Sequence, residues 1–380
     1  MTLKFGAFIP PFHSLGEDPT TAFWRDLDLI HWLDELGLDE AWVGEHHSGG
    51  WSTVSSPEVF LAAAAERTRR IKLGTGVVSL PYHHPLTAAN RIVQLDHQSG
   101  GRAMFGMGAG VSPADAHMMG ISAGDQRRMM AESLEALVRL FKGDEPVTMK
   151  TDWFELRDAM LHLRPYTKPR FDMAVASAGT ERGMRLAGQY GLEALTFAGR
   201  PGMSEPPLAQ LWAAGEEEAA KHGQTVDRSK WRVAICVHIA ETREEALDQV
   251  RAGMSHWFRE YVRDTVGASA KLPEGREAEV AVETHTAIIG SVEDAIEGIE
   301  RMQRESGGFG TLLVNTQDWA TREQTKRSYE LLARYVAPHF TGALDSRRAS
   351  QKWVSENKNG FAAQAREAAA QATAQATAPR

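Results

Sequence analysis

The sequence predicts an α/β chain folded as a (β/α)8 barrel with rim insertions and a C-terminal tail. Three observations predict it. Short apolar runs of strand length alternate with segments of helical periodicity, the order that builds a parallel sheet with helices outside it. Eight such runs can be counted, and a doubly wound open sheet seldom needs that many units. Residues of unusual type gather just after the runs, at the strand ends where a barrel carries its site.

The first run spans 3–9 and is closed by Pro10-Pro11. Pro19-Thr20 opens a helix through Trp24, Leu27, Ile30, Leu33 and Leu36, which Gly37 ends. Strand two, 40–43, runs through a turn glycine into Glu45-His46-His47. Neighbouring side chains at a strand end point in different directions, so at most one of the two imidazoles faces a given ligand. Taken alone, the pair reads as a loop cap and a solvated ring. Ser56-Pro57-Glu58 starts the second helix, which runs to Arg69.

Strand three, 71–78, contains Gly74 and Gly76. Glycines there mean close approach of a ligand to the backbone, or equally the tight packing of a neighbour. A helix follows over 85–97. Strand four, 101–108, exits through Gly106, Gly108 and Gly110, whose spacing is not G-x-G-x-x-G. Pro113 follows with no helix expected, which suggests a ligand-lining turn. The fourth helix covers 127–141, and an excursion over 148–169 reads as a rim hairpin of 153–156 with 161–163. Strand five, 172–176, passes straight into Ser177-Ala178-Gly179-Thr180 and a helix. That junction is an anion cradle or a plain helix cap.

Strand six is 192–197, with a helix over 208–222. Strand seven is 232–239, with a helix over 243–262 and a loop over 267–275. A short link over 284–289 leads to a capped helix ending near Ser306; strand eight is 310–314 and the closing helix 322–336. The barrel domain is therefore assigned to 1–340. Residues 341–380 form an extension, partly helical or disordered, rich in Ala, Gln and Thr over 362–379.

Composition bounds the function. The chain has 380 residues, 42% hydrophobic and 24% charged, with a formal net charge of -8. No dense Lys/Arg run marks a nucleic-acid footprint. Cys236 is the single cysteine, so neither an intrachain disulfide nor a cysteine zinc site is available, and a reducing, cytoplasmic setting is expected. No signal segment or membrane-length apolar run is present. His13, His83, His84 and His97 invite a metal, but no H-E-x-x-H or evident carboxylate partner set accompanies them, and no metal is expected.

A barrel places these features on one face. Ser177 and Thr180 with Arg127 suit a phosphate, Gly76 and Gly108 suit a flat ring, and a histidine between them suits proton transfer near neutral pH. Together they imply a phosphorylated planar cofactor, flavin mononucleotide (FMN) being the simplest. Phe12, Trp51, Tyr82 and Met107 read as an apolar substrate pocket or as ordinary rim packing.

Longer stretches carry a family resemblance. They are Phe5-Gly6-Ala7-Phe8-Ile9-Pro10-Pro11-Phe12-His13, Ala41-Trp42-Val43-Gly44-Glu45-His46-His47-Ser48 and Leu73-Gly74-Thr75-Gly76-Val77-Val78-Ser79-Leu80-Pro81-Tyr82-His83-His84-Pro85. Gln94-Leu95-Asp96-His97, Gly100-Gly101-Arg102 and the run from Ser328 to Phe340 continue it. The chain resembles the bacterial luciferase-like flavin-dependent monooxygenases, limonene monooxygenase-like group, over about 3–340.

The resemblance implies a TIM-barrel enzyme that takes reduced FMN (FMNH2) from a separate flavin reductase and O2 as cosubstrate. Oxygen transfer through a flavin C4a-hydroperoxide would reach a small apolar organic substrate, a terpenoid alkene or cyclic ketone. A homodimer is also implied. His46 falls on the active-site histidine, and His47 would support it or close the pocket with Trp51. Gly76-Val77 falls on a cis, non-proline peptide under the flavin ring. Ser177, Gly179 and Thr180 fall on the phosphate turn and Arg127 on a phosphate-binding arginine. Gly108-Ala109 replaces a cysteine and a second phosphate arginine, which suggests weaker flavin binding and no light emission. A deazaflavin oxidoreductase on the same barrel and a non-catalytic flavin-binding subunit are the rivals; His46 argues against the second.

Overall fold

The computed structural model describes residues 2–199, 205–267 and 272–377. Two compact units divide the chain, Met1–Ala337 and Pro338–Arg380.

The first unit is built on strands β1 Lys4–Ile9, β2 Glu40–Val43, β3 Lys72–Thr75, β4 Val78–Ser79 and β5 Ala103–Gly108. Next come β6 Val147–Lys150, β7 Glu155–Ala159, β8 Met173–Ala178, β9 Glu193–Phe197, β10 Trp231–Ile239, β11 Ala287–Gly290 and β12 Thr311–Asn315. Eight positions close a parallel barrel: β1, β2, β3 continued by β4, β5, β8, β9, β10 and β12. Closure shows in the register, because Ala7 pairs with Ala41 on one side and Val314 on the other. These eight positions are the eight apolar runs of the sequence. Strand three breaks in two because the ladder is interrupted at Gly76 and Val77, between β3 and β4. The link expected over 284–289 instead contains β11, which pairs outside the ring with the far half of β10 (Cys236 with Ala287).

The interior is filled in layers. Phe8, Trp42, Met104, Ala174, Leu195, Ala234 and Leu313 form one buried cluster. Trp42 is the bulky member, and alanines on β8 and β10 leave room for it. At the N-terminal end of the strands, Arg232 donates to Glu40 through Nε at 2.9 Å and a terminal nitrogen at 3.0 Å, and to Asp172 at 2.6 Å. Trp42 Nε1 donates to the same Glu40 at 2.9 Å. An ion cluster therefore plugs the end of the barrel away from the strand exits.

Helices α1 Pro19–Leu36, α2 Pro57–Arg67 and α3 Pro85–Gln98 alternate with the first strands. After β5 comes α4 Pro113–Met118, where the sequence predicted none. Ser112 caps it by accepting from the Asp115 N–H at 3.2 Å, and Pro113 occupies the first turn, where no N–H is needed. Next come α5 Gln126–Lys142, α6 Glu181–Tyr190, α7 Leu208–Lys221 and α8 Arg243–Trp257, then α9 Glu277–Glu283, α10 Val292–Ser306 and α11 Arg322–Leu331. Past its last residue α8 continues as a π-helix, Phe258–Thr265. Part of the loop read over 267–275 lies outside the described residues.

The rim hairpin exists but is β6 with β7, not 153–156 with 161–163. Thr151 closes a tight turn, its N–H bonding Phe154 O at 2.9 Å and its hydroxyl accepting from Phe154 N at 3.0 Å. Trp153 is therefore a turn residue, donating to Glu132 at 2.7 Å.

The second unit carries one continuous helix, Asp345–Thr377, of 33 residues. Its alanine-rich composition favours helix over a frayed chain. Trp353 and Phe361 contact each other at 5.2 Å between ring centres while both remain exposed. No helix among the described residues is long and apolar enough to cross a membrane.

Candidate active site

The C-terminal ends of four neighbouring barrel positions carry the residues of interest. His46 follows β2, Gly76 and Val77 lie between β3 and β4, Gly108 ends β5, and Ser177 to Thr180 close β8. The register makes them consecutive: Val43 pairs with Thr75, Ser79 with Gly108, and Met107 with Val175.

His46 is held by an acid the sequence reading missed. Its Nδ1 lies 3.4 Å from Asp115 Oδ2. Asp115 is only 2% exposed. The Ser48 hydroxyl donates to its other carboxylate oxygen. Helix α4 thus reaches back from the β5 exit to the β2 exit. Burial holds the His46 imidazole below its ordinary value, against the opposing pull of the Asp115 charge. A neutral ring with its Nδ1 proton toward Asp115 leaves Nε2 as an acceptor. The Phe12 ring stands 6.1 Å from the His46 ring. The clue for Asp115 was Ser112-Pro113-Ala114-Asp115, a cap serine with an acid three residues on.

His47 points elsewhere. Its Nε2 donates to Glu45 Oε1 at 2.8 Å. His83 Nε2 donates to the same oxygen at 2.9 Å, and Ser79 N–H to the other at 3.0 Å. Burial raises the Glu45 carboxyl, but the bonds from His47 and His83 outweigh it and hold the group below its usual value. The bond to Glu45 raises His47 in turn. The placement of His47 alongside His46 as a catalytic candidate is therefore corrected: this ring ties the β2 loop to the turn after β4. The sequence also missed that His83 has a carboxylate partner. Glu45, His47 and His83 bring one potential ligand atom each within 4.8 Å of one another, at the spacing of hydrogen bonds.

The cofactor-side residues divide. The Gly76–Val77 peptide is cis, and Val77 is partly exposed while packing on the barrel core. A Cβ on Gly108 would stand 2.5 Å from Val77 Cγ2, and one on Gly76 would stand 2.6 Å from the Phe8 ring. Packing thus accounts for both glycines. At the β8 exit Gly179 adopts φ 67°, a left-handed turn that a side chain would strain. Ser177 is 1% exposed and its hydroxyl donates to Thr180 O at 2.6 Å, so it shapes the turn and its proton does not face outward. Thr180 precedes α6 without a side-chain capping bond, leaving the N–H groups of that helix open. Arg127 is exposed on the first turn of α5 and has no hydrogen-bond partner among the described residues. Its neighbour Gln126 bonds Tyr82 OH at 2.9 Å and Ala109 O at 3.1 Å, fixing that helix end to the β5 exit.

Of the expected pocket residues, Met107 is fully buried in the barrel wall and does not reach the rim. Phe12 and Trp51 meet Tyr261 of the π-helix at 4.4 and 5.7 Å between ring centres. Tyr261 was not singled out from sequence, since nothing there marks where α8 loosens.

The family model described as luciferase-like monooxygenase matches residues 3–309. The chain is 52% identical over 368 residues to 4-hydroxyprotoasukamycin monooxygenase of Streptomyces nodosus subsp. asukaensis, covering 96% of this chain and 99% of the relative. It is 45% identical over 345 residues to limonene 1,2-monooxygenase of Rhodococcus erythropolis, covering 91% and 88%. A solved structure of the oxygenating constituent of 3,6-diketocamphane monooxygenase from Pseudomonas putida, a type II Baeyer–Villiger monooxygenase in complex with FMN, aligns with a TM-score of 0.76. Its identity is 25%, covering 89% of this chain and 99% of that one.

Proposed function

The chain belongs to the luciferase-like monooxygenase family, and from that premise we propose that it is the oxygenating component of a two-component FMN-dependent monooxygenase. It takes reduced FMN from a separate reductase, together with O2, and oxygenates a small, largely apolar organic substrate bearing an alkene or a cyclic ketone. One observation carries the reading. His46, the Gly76–Val77 peptide and the open N-terminus of α6 follow one another on consecutive strand exits of a single barrel mouth.

The residues present fit the cofactor. An uncapped helix end beside a left-handed glycine, with an unpaired arginine on the neighbouring exit, is a phosphate cradle. Val77, between β3 and β4, offers an apolar side chain to a flat ring. Bound reduced flavin would supply the electrons that activate oxygen. His46 then holds or accepts a proton at Nε2, and Asp115 keeps the ring turned so that this atom faces the reacting centre. Phe12, Trp51 and Tyr261 exclude water from that side.

The test is His46→Ala with reduced FMN and a panel of cyclic alkenes and ketones. The wild type is expected to form oxygenated product with FMN and none with a reduced deazaflavin. The variant is expected to keep FMN affinity within about threefold while at least about tenfold of product yield is lost to hydrogen peroxide. Full product yield from the variant would remove His46 from the chemistry. Turnover with the deazaflavin alone would replace the monooxygenase reading with hydride transfer.

A further inference from the structure

We propose that the substrate of this site carries a ring oxygen, a carbonyl or hydroxyl, which is received by the Trp51 indole N–H and the Tyr261 phenol. The proposal rests on the monooxygenase reading above and narrows its substrate class from hydrocarbons to oxygenated rings.

The aromatic side of the mouth is continuous. Phe12 lies 6.1 Å from His46 and 4.4 Å from Tyr261, and Trp51 lies 5.7 Å from Tyr261. Such a surface takes a ring by stacking and edge contact, and it is indifferent to polar substituents. The hydrogen-bonding inventory is not indifferent. Trp51 is 3% exposed, yet its Nε1–H has no partner among the described residues. Two residues on, the Thr53 hydroxyl is also buried and unpartnered. Tyr261 makes no hydrogen bond through its phenol among the described residues, although Ser14, Thr265 and Ser48 around it are all paired. Burial, with the nearby Asp115 charge, pushes that phenol up to about 12. It is therefore a proton donor throughout the working pH range.

A buried donor without an acceptor is costly, and a site that keeps one beside its reactive histidine is complementary to an acceptor brought by the ligand. Other unpartnered indoles have a packing explanation. Trp257 and Trp319 belong to the apolar cluster outside the barrel, and Trp212 stacks on Trp231 at 4.9 Å. Trp51 differs in its place, on the loop that carries His46. A polar pocket group left unpaired by the wrong substrate discriminates more strongly than an apolar wall can.

The experiment compares a substituted cyclohexene with the cyclohexenone of the same carbon skeleton. Binding to the FMN-loaded protein is measured by calorimetry, and turnover is measured separately with reduced FMN. The wild type is expected to bind the enone at least about tenfold tighter than the hydrocarbon. Trp51→Phe and Tyr261→Phe each keep an aromatic ring and remove one donor. Each is expected to shrink the enone-to-hydrocarbon affinity ratio about fivefold or more, with the loss in KM and not in kcat. Equal binding of the two ligands by the wild type, or an unchanged ratio in both variants, would overturn the proposal. Tight enone binding without any oxygenated product would leave the acceptor site standing and overturn the monooxygenase reading instead.

Discussion

Burial and charge act on His46 in opposite senses. Burial favours the neutral ring, and the Asp115 carboxylate 3.4 Å away favours the cation; burial prevails. The acid therefore does two things, turning the ring through Nδ1 and keeping its proton affinity from falling further. Asp115→Asn separates them, because the amide preserves shape and removes charge. Without the carboxylate the His46 value drops, so the acid limb of the kcat profile moves to lower pH. Loss of orientation lowers kcat by about tenfold at the optimum. Rates measured across pH with saturating reduced FMN check both. A limb that stays fixed would mean that another group is titrating. None of this was legible in the sequence at Asp115. Ser48 and Asp115 are 67 residues apart, and the glycines between β5 and α4 drew the eye to a cofactor turn. His46 itself was legible because a strand, a turn glycine and an acid frame it.

At the scale of elements, the Glu45 cluster is a clamp between two loops. His47 and His83 hold one carboxylate oxygen and the Ser79 N–H holds the other, so the β2 exit and the turn after β4 move together. The clamp has a pH window. His47 is raised above its ordinary 6.5, so its share is complete below that value and is lost as pH climbs through the folded value. Glu45 is lowered below its ordinary 4.5, so its share is complete above that value and is lost as pH falls through the folded value. Glu45→Gln should cost about 2–3 kcal/mol in mildly acidic solution. The deficit should shrink as the medium becomes alkaline. Thermal melts of both proteins across pH read it directly; a deficit that grows in alkali would contradict the assignment. Elements made by local pattern were readable from sequence, including the eight strands and the capped helices. Those made by tertiary context were not. β11 is four residues long and pairs only because β10 overshoots the ring. The π-helical run after α8 follows its packing against the β2 loop, where Phe12 and Trp51 meet Tyr261.

For the barrel as a whole, the two ends do different work. The strand exits gather the reactive groups, and the opposite end is sealed by Arg232, Glu40 and Asp172. Alternation of apolar runs was enough to read the barrel, since strand and helix periods differ and eight units close a ring. The seal was hidden, because Glu40 and Arg232 are 192 residues apart and each stands at the start of an apolar strand. Arg232 is 2% exposed, and its guanidinium holds Asp172 well below the usual carboxylate range despite the burial that opposes it. In the wild type this share of stability exists above the ordinary carboxylate range and is lost as pH falls through the folded value. Arg232→Met keeps much of the volume but leaves two carboxylates facing each other without a cation, at a cost of about 3–5 kcal/mol near neutral pH. The sign of the pH response then reverses. The unpaired acids now take up protons more readily folded than unfolded, so the variant should recover part of its stability on mild acidification while the wild type does not. Melting temperatures of both proteins at neutral and mildly acidic pH test this. Below the variant's melting temperature, kcat should stay within about twofold of the wild type, since Arg232 is buried at the sealed end. A large loss of turnover in a folded variant would show that the two ends of the barrel are not independent.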